Sequence, residues 1–381
     1  MLDFDSLKKT YQNFSYPVAL VKVNDKDIMA NKKGIVVGDI EVENTCNFEA
    51  SIATFRIYNA FDPSVTAFNF KAVKNYVAIG STVTISMGYE PVLMEVFRGF
   101  ISRVNFQYER DGIPAIVVTA MDIKGIMMAN NYARQIKAEF YSDAVKKIFE
   151  QSAYKKLQSN GAIRKFEITD TPDKNAATTQ SGEKTSDRTI EMVVESDYEF
   201  VVKAAKKYNY EFFSVGDVVY FRKAKDSKDV LMKISPSTGL RYFNVGYDIT
   251  GLVGTIEVRN VDVGRAKVMS AKTKSSNKIS KGNKAKALVS GQQKVYIDPT
   301  ADSTDEIKHR MNYLMEDMAY RFGTLECEIF GLPDLIPGSF VELQGLGDGA
   351  SNQFYITSVR HVMDGEHGFY TKLTGKAASV K

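Results

Sequence analysis

"AIGSTVTI" (78–85) and "IPGSFVEL" (336–343) stand near opposite ends of the chain and carry one pattern. Gly80-Ser81 matches Gly338-Ser339, Val83 matches Val341, and Ile85 matches Leu343. Further on, "FISRVNF" (100–106) matches "YITSVRH" (355–361), and Asp111-Gly112 falls where Asp364-Gly365 falls. Each copy reads as a glycine turn, a strand, a loop, a strand with Ile-x-x-Val, an Asp-Gly turn and a further strand. Strand-rich sequences resemble one another cheaply, but here the order of turns and strands agrees as well. The expected fold is therefore mainly β with an α/β insert: two similar small β-barrels flanking an α+β middle domain. Two similar units per chain have a geometric use, because three such chains around an axis present six near-equivalent faces.

The rest of the chain fits this frame. Residues before about 120 are β-branched runs broken by Asn, Asp and Gly, among them "PVALVKV" (17–23), "EASIATFRIYN" (49–59) and "AIVVTAMD" (115–122). The middle turns helical. "YSDAVKKIFEQSAYKKL" puts Val145, Ile148, Phe149 and Ala153 on one face, with Ser142 as its N-cap. In "ESDYEFVVKAAKKYNYEFFSVGDVVYFRKA" (195–224), Ser196 and Glu199 form a capping box. Phe200, Val201, Ala204 and Tyr208 make the buried stripe, Asn209 ends the helix, and Gly216 opens a two-residue hairpin turn. The carboxylates of Glu195, Asp197 and Glu199 are explained there by capping and the helix dipole. A second helix is capped by Ser303 and Glu306 and carries Ile307, Met311, Leu314 and Met318 as its stripe.

The expected domains are 1–122, a first β-barrel; 123–228, an α/β insert with a mobile polar loop at 169–189; and 229–381, a second barrel. The last contains an exposed basic loop at 264–294, rich in Lys and free of Asp and Glu, and a helix at 303–321.

Bulk properties narrow the function classes. The 381 residues suit two or three domains. A net charge of +4 is small for this length and argues against a chain built mainly to coat nucleic acid or a membrane. The two cysteines, Cys46 and Cys327, make no disulfide framework, which points to a reducing compartment. The start has no basic region followed by an apolar one, so no signal peptide is expected, and no apolar run is long enough to span a bilayer.

Catalytic chemistry is not visible. The three histidines, His309, His361 and His367, have no Cys nearby and read as solvent-facing or strand-end residues; a structural metal site needs about four close N or S ligands. "GLGDGASN" (345–352) is followed by a strand, whereas a phosphate loop needs a helix N-terminus. Paired carboxylates for cell-wall hydrolysis cannot be read from sequence, so a cell-wall lytic enzyme stays as an alternative. The basic stretch leaves a nucleic-acid-binding module as a weaker one, since it lacks interleaved aromatics. The expectation is no catalytic residue, no cofactor and no metal.

Three segments resemble contractile-tail hub proteins of the bacteriophage late control protein D family, to which the N-terminal part of the VgrG spike of type VI secretion is related. They are "VFRGFISRVNFQYERDGIPAIVVTAMD", the 195–224 unit, and "GLPDLIPGSFVELQGL…QFYITSVRHVMDGEHGFYTKLTG". The last resembles the family's C-terminal signature through Gly331, Pro333, Pro337, Gly338, Val359, His361, Gly368, Phe369, Tyr370 and Thr371. With Gly80, Ser81, Gly99, Asp122, Ser196, Asp197, Phe200 and Gly216, these are the signature positions, expected to be structural. The resemblance implies a baseplate hub: a homotrimer with pseudo-sixfold symmetry that adapts a sixfold tail tube to a threefold spike. It implies as partners a tail tube or tube-initiator protein, baseplate wedge proteins and a separate spike protein, since no spike domain follows the second barrel. No membrane and no specific nucleic acid are expected, and the chain would be made in the bacterial cytoplasm and incorporated into a tail particle.

Overall fold

A computed structural model describes residues 1–29, 35–172, 189–262, 267–274, 283–298, 301 and 303–380. The first part carries α1 (Phe4–Thr10), β1 (Pro17–Val23), β2 (Lys26–Asp27), β3 (Val37–Thr45), β4 (Ile52–Ile57), β5 (Phe61–Asp62), β6 (Ala67–Phe68), α2 (Phe70–Val73), β7 (Thr82–Tyr89), β8 (Val92–Gln107) and β9 (Ala115–Met121). The middle carries α3 (Lys124–Met127), β10 (Tyr132–Lys137), α4 (Tyr141–Phe149), α5 (Ser152–Ser159), β11 (Lys165–Ile168), β12 (Thr189–Glu195), α6 (Asp197–Tyr208), β13 (Tyr210–Val215) and β14 (Val218–Lys223). The last part carries β15 (Val230–Ile234), β16 (Leu240–Tyr247), β17 (Thr255–Asp262), β18 (Lys267–Lys274), α7 (Asn283–Ser290), β19 (Gln293–Ile297), α8 (Thr304–Ala319), β20 (Gly323–Phe330), β21 (Phe340–Leu343), β22 (Gln353–Asp364) and β23 (Gly368–Ala377).

The molecule is mostly β, and a 13-stranded sheet dominates it. Its path runs β16-β20-β23-β22-β3-β4-β9-β8-β7-β1-β2, with β21 joining β22 to β15. Within the path, β7-β8-β9-β4-β3 and β21-β22-β23-β20-β16 have the same order relative to the chain. Details agree as well. The β8–β9 ladder slips between Ile101 and Arg103, and the β22–β23 ladder slips between Ile356 and Ser358. The Gly80 N–H donates to the Ile101 carbonyl at 2.8 Å, and the Gly338 N–H to the Ile356 carbonyl at 2.9 Å. Both glycines have positive φ, 85° and 77°, a conformation in which a Cβ is strained. The sets differ at one margin, since β1 pairs antiparallel to β7 whereas β15 pairs parallel to β21.

β22 and β3 join the two sets. The first residues of β22 pair with β21, and Ser358–Met363 pair antiparallel with Thr45–Ile40. Alternate residues of each strand face one apolar core that runs through both sets, including Val42, Phe55, Val118, Ile329, Val359 and Leu373.

The middle segment has its own core, in which α6 buries Phe200, Val201, Ala204 and Tyr208 against α4 and the β11-β14-β13 sheet. Ser196 caps α6 with Glu199 in a reciprocal box, and Asn209 ends it in the left-handed conformation. Two helix details differ from the sequence reading. Phe140, and not Ser142, is the N-cap of α4; Ser142 is buried, and its N–H donates to the Thr171 hydroxyl. The helix stops at Glu150 and restarts at Ser152, which turns Ala153 outward and buries Tyr154 in its place. Most of the loop expected at 169–189, residues 173–188, lies outside the described residues.

The basic stretch 264–294 is corrected by the structure. It holds β18, α7 and the start of β19, and β18-β17-β19 form a separate three-stranded sheet. That sheet packs on α8 around Ile256, Val258, Ile307, Met311, Met315 and Met318, with Leu314 only half-buried. The inward residues of β18, Met269 and Ala271, lie among lysines and a serine, so composition hid a one-sided strand.

Candidate functional site

The β13–β14 hairpin fastens the middle segment to both strand sets. At the first set, the Asp122 carboxylate accepts from the Ser214 hydroxyl at 2.7 Å, the Ser51 N–H at 3.1 Å and the Lys124 N–H at 3.0 Å. Lys124 is fully buried, and its ammonium donates to the Glu49 carbonyl at 2.6 Å. Burial lowers its pKa, opposed by the nearby Asp122 carboxylate. At the second set, buried Glu211 accepts from Arg222 Nε at 3.0 Å and from the Tyr355 hydroxyl, while Arg222 donates to the Gly338 carbonyl at 2.6 Å. Cys46, Phe213, Phe340 and Tyr355 seal this contact with apolar surface.

Asp197 has a different place from the one expected. It is the first residue of α6, but its buried carboxylate does not cap the helix; Ser196 does that. It accepts from Arg134 at 2.7 Å, Asn130 at 2.9 Å and the Tyr154 hydroxyl at 2.7 Å, tying β10 and α5 to the start of α6. His361 also departs from its reading as a strand-end residue. It is 1% exposed in the middle of β22, with Nδ1 3.0 Å from the Thr371 hydroxyl. Burial lowers its pKa to about 4, so the ring is neutral at physiological pH. Thr371 also accepts from the Leu332 N–H at 3.0 Å, which anchors the segment holding Pro333 and Pro337.

The other signature residues serve the backbone. A Cβ on Gly99 would stand 2.2 Å from the Met121 carbonyl, so glycine lets β8 and β9 approach. Gly216 and Gly368, with φ of 54° and 72°, turn the β13–β14 and β22–β23 hairpins. These positions do not converge on one pocket. They lie at turns, strand crossings and the contacts between segments.

A shallow cleft on the outer face of the large sheet is lined by Glu43, Tyr242, Glu326, Glu328, Arg360 and Lys372. Arg360 pairs with Glu43 at 2.7 Å and Glu41 at 3.4 Å, and Lys372 lies 3.8 Å from Glu328. Such an open, ion-paired surface can contact a partner through complementary charge. Both cysteines are buried, and desolvation raises their thiol pKa values, that of Cys327 to about 12, which opposes thiolate chemistry. Among the described residues no group of three or more His, Cys, Asp or Glu is placed to hold a metal ion, and no helix is long and apolar enough to cross a membrane.

Comparison with solved structures shows where this fold occurs. The tail protein from Neisseria meningitidis MC58 aligns at a TM-score of 0.65 with 13% identity over 95% of this chain and 97% of that one. The 43 kDa tail protein of prophage MuSo2 from Shewanella oneidensis aligns at 0.66 with 11% identity over 94% and 98%. An E. coli component of the type VI secretion system, described as similar to T4 bacteriophage tail proteins, aligns at 0.57 with 11% identity over 93% and 76%. At these identities the likeness is one of fold. No curated protein matches the sequence. The family model that matches carries a different name from late control protein D, whose motifs the sequence resembles. It is the Alg8 N-terminal domain and it spans residues 18–365, so the chain belongs to the Alg8 N-terminal domain family.

Proposed function

We propose that this chain is the structural baseplate hub of a contractile injection particle, a phage tail or a tail-like particle. Three copies assemble around an axis, and the two strand sets of each copy form the walls of two small barrels. The ring offers six near-equivalent faces to a tail tube and three to a spike. The domains are 1–122, 123–228 and 229–381, and the signature glycines, prolines and buried polar residues hold their shape without catalytic work. The partners are a tube or tube-initiator protein, wedge proteins and a separate spike protein, and the chain is made in the bacterial cytoplasm. The resemblance to late control protein D proteins belongs to this reading.

One observation carries it: the five-strand order, the ladder slip and the Gly-Ser turn recur in both halves of one chain. The tail-protein names of the Neisseria and Shewanella neighbours support placing that duplicated fold in a tail particle. Light scattering across a wide concentration range tests it, with negative-stain microscopy. The expected result is a particle of three 42.6 kDa chains with a six-lobed projection. A monomer at every concentration, or a dimer, overturns the reading. Clearing of peptidoglycan in a zymogram, abolished by a single carboxylate substitution, would replace it with the lytic one.

A further inference from the structure

The β22–β3 joint has an unfilled counterpart. Matching the two sets through their ladders places Arg103–Tyr108, the end of β8 and the residue after it, where β22 has Ser358–Met363, and Phe243–Asp248, the end of β16 and the residue after it, where β3 has Ile40–Thr45. In the filled joint both strands are covered. Among the described residues, β8 beyond Ile101 has only β9 beside it, and β16 has only β20. Among the described residues nothing pairs with the outer edge of either stretch.

The exposed side chains fit the same joint. In the filled one, Val359 and His361 meet Val42 and Asn44 on the core face, while Arg360 meets Glu41 and Glu43 on the polar face. In the open one, Val104, Phe106 and Tyr108 alternate with Arg103, Asn105 and Gln107, and Phe243, Val245 and Tyr247 alternate with Asn244, Gly246 and Asp248. Phe106, Tyr108 and Phe243 are 48%, 59% and 38% exposed, an unusual density of aromatics at two strand edges. Phe68 and Phe70 already pack edge-to-face on Phe106, and Phe61 packs tilted on Tyr108, which leaves an apolar shelf beside the β8 edge.

We infer that the free edge of β8 pairs antiparallel with the free edge of β16 from a second copy of this chain. The register sets Arg103 opposite Asp248, Val104 opposite Tyr247, Asn105 opposite Gly246, Phe106 opposite Val245, Gln107 opposite Asn244 and Tyr108 opposite Phe243. Apolar residues then meet on one face, and on the other Arg103 meets Asp248 as a cross-strand ion pair. The occupant is a second copy because the chain already contains this joint between its own two halves, and the vacant edges are its two missing sides. Closure of the repeated joint into a ring of three rests on the hub reading; the register does not.

Cysteine cross-linking tests it on the full chain. Gln107 and Asn244 are both exposed, so Gln107→Cys with Asn244→Cys should leave the fold intact. Asn105→Cys with Asn244→Cys is the off-register control, two residues removed. A disulfide needs Cβ atoms near 4 Å, a distance met by directly opposed residues and not by diagonal ones. Oxidation should link the in-register pair at least about tenfold faster than the control, giving covalent oligomers up to trimer. Phe106→Glu with Tyr108→Glu should abolish the cross-link and the native oligomer while leaving the circular dichroism spectrum unchanged. A trimer by light scattering with equal or no cross-linking of the two pairs overturns the register and leaves the hub reading standing. In-register linking that stops at a dimer supports the register and overturns the ring. A monomer at millimolar concentration with no cross-link overturns both.

Discussion

β8 and β22 are the same strand in two settings. Each accepts a hydrogen bond from the glycine of a Gly-Ser turn, carries a ladder slip at the same point and runs beside a matching strand. Yet Val359, His361 and Val362 of β22 are buried, whereas Phe106 and Gln107 of β8 are exposed. The difference comes from the neighbour: β22 has β3 beside Ser358–Met363, whereas among the described residues no strand pairs with that edge of β8 beyond Ile101. Burial along a strand is thus decided by what pairs with it, which its own apolar pattern does not reveal.

The two halves can be set against each other by substitution. The largest effect is expected at the clamp between the middle segment and the second strand set. Glu211→Ala strands the partly buried Arg222 guanidinium and removes the Tyr355 acceptor, and should cost about 4 kcal/mol in urea unfolding. Removing Glu167 from its exposed pair with Lys165 should cost less than about 0.5 kcal/mol.

Next is pH, because His361 occupies the place of Phe106. Its folded pKa of about 4 lies below the ordinary value of 6.5, so the unfolded chain binds the extra proton. Stability should be full above pH 6.5 and fall as pH drops from there to about 4, by about 3 kcal/mol at most. His361→Phe should flatten that part of the profile. An unchanged slope would mean that other groups dominate it.

The smallest contrast lies in the paired turns. An alanine Cβ at Gly80 meets open space, so the cost is that of positive φ alone, about 1 kcal/mol. At Gly338 it would stand 2.4 Å from the Arg222 guanidinium and 3.1 Å from the Phe213 ring, so thermal unfolding should show a loss at least about twice as large. Equal losses would argue that the clamp is loose.

What could be read in the sequence was local or repeated. The Ser196–Glu199 box, the left-handed Asn209, the Gly216 turn and the matched Gly-Ser turns each need only a few neighbouring residues. The contacts that bind the segments were not readable. Asp197 meets Tyr154 and Arg134 at separations of 43 and 63 residues, and Glu211 meets Tyr355 at 144. No spacing rule links such positions. Strand β18 was missed for another reason: its inward Met269 and Ala271 are interleaved with polar residues in a lysine-rich stretch, which hides the apolar alternation. The motifs resembled those of one family without fixing how the two strand sets join, because the join is a backbone pairing of Ser358–Met363 with Ile40–Thr45, segments far apart in sequence.

The β22–β3 joint has a consequence for synthesis. Ser358 follows Glu43, its partner across the joint, by 315 residues. At about 5–20 residues per second, the outer edge of β3 waits roughly 15–60 s on the ribosome before its partner exists. During that interval it is a bare template for pairing with any other nascent chain. Asp39, Glu41 and Glu43 line that edge with negative charge. Like charge on that edge opposes pairing with another copy of itself, whereas Arg360 of β22 brings the opposite charge to Glu41 and Glu43.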